Sequence, residues 1–350
     1  MPAPQPLALN TPQRFYAGGR RILAFRGLDV PADFDDHRPE DWLGSTTRLF
    51  AEDGTGLTVL ADGRTLAATL ETSADEWLGP MHPKAYGDDS GLLVKLLDAA
   101  ERLPVHTHPD REFAKLHLDS DHGKTEAWLI LEADPGAVVW LGFRDDVDPA
   151  DLSPLIDRQD DQLLGRLNEI PVRRGDALLV PAGQPHAIGP GVFLVELQEP
   201  TDFSVLLEHQ RFGLDPHDAF LGLSRDLALS SVTTIGLGAA DLAKLRTRWD
   251  EGRTTRSAGL PDLASPYFRA EVLDGRPGEA VGDAGFSVLV VVEGQGRLRT
   301  AAGDQIPLQQ GQALLTPYSS GDLFLTGDVT ALRCRPGLED SPNTQMEAGS

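Results

Sequence analysis

Four side chains with the chemistry of a metal site sit on or beside short apolar runs bounded by glycine and proline. His106 and His108 belong to Leu103-Pro104-Val105-His106-Thr107-His108, and Glu126 opens Glu126-Ala127-Trp128-Leu129-Ile130-Leu131. His186 follows an apolar run entered at Gly175 and left through Pro181-Ala182-Gly183. Side chains alternate along a strand, so His106 and His108 share one face. This pattern calls for a β scaffold whose turns present ligands. Imidazoles with one carboxylate suit Zn, Fe, Mn, Co and Ni, whereas Mg and Ca prefer oxygen shells. His106, His108, Glu126 and His186 would leave one or two coordination positions for water or substrate.

The other histidines lack such a pattern. His117 and His122 lie in a polar stretch and read as solvent-facing, while His37, His82, His209 and His217 show no ligand spacing. Glu112 and Glu196 could point inward as partners of liganding imidazoles. A site of this composition can polarise a sugar carbonyl, activate dioxygen or hold a β scaffold together, and the ligand pattern does not choose among these.

The 36 glycines and 26 prolines are spread along the chain, which predicts many short strands and turns. Strands are expected over 92–98, 103–108, 126–131, 137–143, 176–180 and 192–198, with a short helix over 109–116 whose proline falls in its first turn. Leu152, Leu155, Ile156, Leu163, Leu164 and Leu167 recur at helical spacing, a helical excursion between strands. Residues 215–250 read as a largely helical connector. A second strand-rich body begins near Tyr267, where the run 311–321 echoes 175–183; no histidine follows His217, so this unit would lack ligands. The expected fold is therefore all-β dominated: two jelly-roll units with helical insertions and a helical connector. The expected division is a metal-binding unit at 1–214, a connector at 215–260, a metal-free unit at 261–337 and a loose tail at 338–350.

A formal charge of −23 over 350 residues argues against nucleic acid and anionic membrane partners, which demand clustered Lys and Arg. The single cysteine, Cys334, excludes a disulfide framework and fits a reducing compartment. No apolar stretch is long enough to span a membrane, and Met1-Pro2-Ala3-Pro4-Gln5-Pro6 has no signal-peptide character. The expectation is a cytoplasmic monomer or loose homodimer with a small-molecule partner.

The segments Leu103-Pro104-Val105-His106-Thr107-His108-Pro109-Asp110, Gly123-Lys124-Thr125-Glu126-Ala127-Trp128 and Pro181-Ala182-Gly183-Gln184-Pro185-His186 resemble the type I phosphomannose isomerases of the cupin superfamily, in their short bacterial form. Val195-Glu196-Leu197-Gln198 extends the resemblance, with weaker versions of the opening segments at Tyr16-Ala17-Gly18-Gly19-Arg20 and Glu40-Asp41-Trp42-Leu43-Gly44-Ser45. It implies two cupin units and one zinc ion held by His106, His108, Glu126 and His186; the family usually has Gln at the first position. Lys124 falls on the family's active-site lysine. The family also carries an aspartate followed by a Tyr-Arg pair, and Asp202-Phe203-Ser204-Val205-Leu206 puts Leu206 where that arginine stands. Leucine cannot donate a hydrogen bond, so Arg211 or His209 would have to reach in from downstream.

The resemblance implies a metal-dependent aldose–ketose isomerase, converting mannose 6-phosphate to fructose 6-phosphate through a cis-enediol(ate). Lys124, Glu196 and His209 are the candidate proton-transfer groups, with Arg211 a further candidate catalytic residue. The alternatives are a cupin that binds a sugar or sugar phosphate without turnover, and a cupin enzyme of another reaction class.

Overall fold

The computed structural model describes residues 1–50, 54–80, 82, 84–252 and 254–338. Three open antiparallel sheets of eight, six and five strands carry the fold. The six-stranded sheet runs in the order Arg246–Arg248, Asp176–Val180, Glu126–Ala133, Val192–Gln198, Leu93–Ala99, Glu40–Leu43. The five-stranded sheet runs Val205–Leu206, His106–Thr107, His186–Ile188, Val138–Phe143, Leu167–Pro171. The eight-stranded sheet is built mainly from the C-terminal chain, around the long strands Ser287–Thr300 and Leu323–Pro336, and takes Gln5–Pro6 at one edge.

This architecture corrects the expectation of an all-β-dominated pair of jelly rolls. The fold is mixed α/β: none of the three sheets closes on itself, and helices are interspersed among the strands. The physical reason lies in the strands themselves. Every residue of Leu93–Ala99, Asp176–Val180 and Val192–Gln198 is buried, so these are not half-exposed strands with an alternating pattern. A strand buried on both faces needs cover on both. One apolar core joins Val94, Leu129, Val180 and Phe193 of the six-stranded sheet to Phe268, Val288, Leu315 and Cys334 of the eight-stranded one. Along Ser287–Thr300, Val288, Val290 and Val292 enter that shared core, while Leu289 and Val291 enter a second core on the opposite face.

The longest helix, Leu66–Trp77, was not anticipated. Thr65 caps it by accepting the Ala68 N–H, and Leu66, Leu70 and Trp77 are buried in the shared core. The expected short helix forms as Arg111–His117, with Asp110 accepting the Phe113 N–H at 2.8 Å. Pro109 thus stands before the cap rather than within the first turn. In the expected helical excursion, Pro149–Asp157 is helical but Leu167–Pro171 is a strand, and Leu152, Ile156, Leu163 and Leu167 share one core cluster. The stretch 215–250 contains the short helices Pro216–Ala219, Arg225–Leu229 and Ala239–Lys244, then a strand, Arg246–Arg248, that pairs with Asp176–Val180. Apart from Leu338, the expected tail lies outside the described residues. No helix among the described residues is long and apolar enough to cross a membrane.

Candidate metal centre

The five-stranded sheet supplies two imidazoles, and the residue just past one of its strands supplies a third. His106 and His186 stand opposite one another in the register of adjacent antiparallel strands, and His108 follows two residues after His106. The turn before His186 requires glycine: Gly183 has φ +82°, and a Cβ there would come within 2.6 Å of Thr233 Oγ1. Its N–H donates to the His108 carbonyl at 2.8 Å, tying the turn to the other ligand segment. The carboxylate comes from the six-stranded sheet, where Glu126 begins the strand Glu126–Ala133.

All three rings are oriented the same way. Nδ1 lies 2.8 Å from the Pro104 carbonyl in His106, 2.7 Å from the Phe203 carbonyl in His108 and 2.8 Å from the Gln184 carbonyl in His186. A carbonyl only accepts, so each Nδ1 carries the proton and each Nε2 presents a lone pair. One ring nitrogen from each histidine lies within 4.8 Å of the others, and all three residues are buried. Burial pushes all three imidazole pKa values down, the crowding of the rings on one another adds to it for His106 and His186, Lys124 adds to it for His108, and His186 reaches about 3. The rings are neutral near pH 7, as ligands must be.

Glu126 completes the group. His108 Nε2 is 2.9 Å from Glu126 Oε1, and His186 Nε2 is 3.6 Å from Oε2. Burial alone would raise the Glu126 carboxyl, but His108 and Lys124 outweigh it and hold it well below the usual range. A neutral imidazole lone pair therefore meets a carboxylate at contact distance, and Lys124 Nζ, 3.4 Å from that Nε2 and 3.1 Å from Glu126 Oε1, is the cation beside both. Ligand atoms about 2.0–2.2 Å from a shared ion stand roughly 3 Å apart. His186 Nε2 is also buried without a hydrogen-bond partner. Among the described residues this donor set fits a divalent transition metal. The other acidic and imidazole grouping, Asp35, Asp36 and His37, is solvent-accessible and consists of consecutive residues.

The centre lies at a cavity of about 310 Å³, lined by His106, Glu126, Lys124 and Glu196. Lys124 Nζ is 3.1 Å from Glu126 Oε1 and 3.4 Å from Ser204 Oγ. Glu196 is paired in register with Lys95, whose Nζ lies 3.3 Å from both Glu196 and Glu40. Burial, then Glu126, raises the Glu196 carboxyl to about 7 against the pull of Lys95 and Lys124. Arg14 continues the chain of charges, with Nε 3.3 Å from Glu40 and Nη1 3.2 Å from Asp202.

Two candidate catalytic residues lie elsewhere. His209 packs against Phe220, ring centroids 5.7 Å apart, in a separate depression with Gln159, His217 and Arg225. Arg211 is exposed, 3.7 Å from Asp161. Neither lines the cavity, although the chain that follows them returns to its wall with Leu214, Asp218, Ala219 and Leu221. Leu206 itself lines it, paired in register with His106. Sequence reasoning missed Arg14, Glu40 and Lys95. Lys95 carried a signal, a lone cation inside the apolar run Leu92-Leu93-Val94-Lys95-Leu96-Leu97, which a buried strand tolerates only with partners. Arg14 carried none.

No protein-family model matches the chain. It is 28% identical to mannose-6-phosphate isomerase ManA of Bacillus subtilis over 329 residues, covering 88% of this chain and 92% of that protein. It is likewise 28% identical to the mannose-6-phosphate isomerase of Streptococcus mutans over 320 residues, covering 89% and 92%. The crystal structure of the mannose 6-phosphate isomerase from Bacillus subtilis superposes with a TM-score of 0.74 at 23% identity, covering 95% of this chain and 100% of that one. A mannose 6-phosphate isomerase bound with zinc and yttrium gives 0.71 at 15% identity, covering 96% and 100%. Along nearly its whole length, the chain is phosphomannose-isomerase-like in sequence and in fold.

Proposed function

We propose that this protein is a metal-dependent aldose–ketose isomerase acting on a sugar phosphate, with mannose 6-phosphate and fructose 6-phosphate as its pair. The contact between His108 Nε2 and Glu126 Oε1, at the wall of a cavity that also holds Lys124 and Glu196, carries this reading. Similarity to the Bacillus and Streptococcus isomerases supports it. A divalent ion held by His106, His108, Glu126 and His186, zinc first among those suited, would supply a Lewis acid for the oxygens at C1 and C2. Glu196, whose carboxyl is raised to about 7 before any ion binds, shuttles the proton between C1 and C2. Lys124 holds a substrate oxygen by hydrogen bonding, and the buried walls exclude water from the enediol. With zinc-loaded protein, mannose 6-phosphate in heavy water should yield fructose 6-phosphate carrying deuterium at C1, and the recovered mannose 6-phosphate should carry it at C2. Absence of both with Zn, Fe, Mn, Co and Ni overturns the reading.

Leu206 on the cavity wall favours a second reading, a protein that binds the sugar without converting it. Calorimetric binding of mannose 6-phosphate with no conversion under any of those metals would identify it.

A further inference from the structure

The cations around the cavity are partnered before any substrate arrives. Its lining cations are Arg14, Lys95 and Lys124, and its lining carboxylates include Glu40, Glu126, Glu196 and Asp202. Each cation is already in contact: Lys124 with Glu126, Lys95 with Glu40 and Glu196, Arg14 with Glu40 and Asp202. A phosphate dianion beside Arg14 would meet two carboxylates as well as one guanidinium.

Arg14 nevertheless keeps donors in reserve. Its Nη1 and Nη2 each direct one N–H at Asp202, at 3.2 and 3.4 Å, and Nε faces Glu40. A guanidinium has five N–H groups, so one remains on each terminal nitrogen. Those donors stand next to the Asp202 carboxylate, which also accepts the Phe50 N–H at 3.2 Å. Adjacent fixed donors and acceptors are what neutral hydroxyl groups need, and the surplus of carboxylates over cations in the lining disfavours an anion there. Arg14 is also the one guanidinium among the lining residues, in a cavity where Leu206 offers only apolar surface.

We infer that Arg14, held by Asp202, is a substrate-contacting residue that reads sugar hydroxyls rather than phosphate; this rests on the isomerase reading above. Arg14→Lys keeps the charge but loses the planar fork. It should weaken binding of mannose and of mannose 6-phosphate by the same factor, about tenfold, in calorimetry on zinc-loaded protein, with bound zinc unchanged. Arg14→Met with Asp202→Asn removes the pair without stranding a buried charge and should match that loss. Unchanged affinities in both variants overturn the inference. A loss confined to mannose 6-phosphate also overturns it, making Arg14 a phosphate clamp. If the wild type binds both sugars without converting them, the isomerase reading fails while Arg14 is still tested; a wild type that binds neither overturns both.

Discussion

Lys95 and Glu196 stand opposite one another on adjacent antiparallel strands, Nζ 3.3 Å from Oε1, with both side chains buried. Glu40 shares the same ammonium at 3.3 Å, and Lys95 lies over the Trp42 ring at 4.9 Å from its centroid. Burial alone would lower the Lys95 pKa, but the two carboxylates overcome it and hold it above its ordinary value. Removing the cation would leave buried Glu196 without a contacting ammonium and Glu40 with Arg14 alone as its cation. Lys95→Met should therefore destabilise the protein by about 3–5 kcal/mol. Urea unfolding followed by tryptophan fluorescence measures it, and a change below about 1 kcal/mol would show that the ammonium is not what holds these carboxylates.

His186→Ala removes a buried ring nitrogen that has no hydrogen-bond partner and is a proposed metal ligand. Outer-shell changes at metal sites cost about 10–100-fold in affinity, so losing this ring should cost at least about 100-fold and abolish turnover. Lys124→Ala, by contrast, should keep metal content near normal while lowering kcat. Elemental analysis beside kinetics separates them: full activity of metal-depleted His186→Ala sinks the metalloisomerase reading, and metal loss in Lys124→Ala makes that lysine part of the metal's support.

Glu196 links the cavity to pH. Its folded pKa is raised to about 7 from an ordinary 4.5, so between those values the folded state binds more protons than the unfolded chain. The resulting contribution is fully present below about pH 4.5 and is lost as pH rises through 7. Chelated Glu196→Gln protein should accordingly show a flatter Tm profile between pH 5 and 8 than chelated wild type. A dication beside Glu126 favours the Glu196 carboxylate, so in the zinc-loaded enzyme kcat/KM should rise as that carboxylate forms at a pH below 7, and Glu196→Gln should abolish that limb with most of the activity. Parallel Tm profiles would refute the titration, and an active Gln variant would remove Glu196 from proton transfer.

His209→Ala and Arg211→Ala should each change kcat/KM by less than about threefold, since neither side chain lines the cavity. Arg211→Ala is a surface substitution and should alter stability by within about 0.5 kcal/mol, whereas His209 is buried against Phe220. A tenfold loss in Arg211→Ala would require the 207–214 segment to rearrange on substrate binding.

Local sequence determined the pieces of this site. Period-two alternation places His106 and His108 on one face, and the Pro-Ala-Gly turn delivers His186, because both are properties of a few consecutive residues. The apolar runs likewise marked the strands at 92–98, 126–131, 176–180 and 192–198. Whether those strands are covered on one face or two was not legible, since a continuous apolar run reads alike in either setting; this is why the jelly-roll expectation failed. Only tertiary structure decided what meets across long separations. It set His106 against His186, brought Glu126 from a different sheet, and carried Arg14 across 188 residues to Asp202. It also turned Arg211 outward. A buried charge must find its partners wherever packing brings the chain together, and no local spacing in the sequence encodes that meeting.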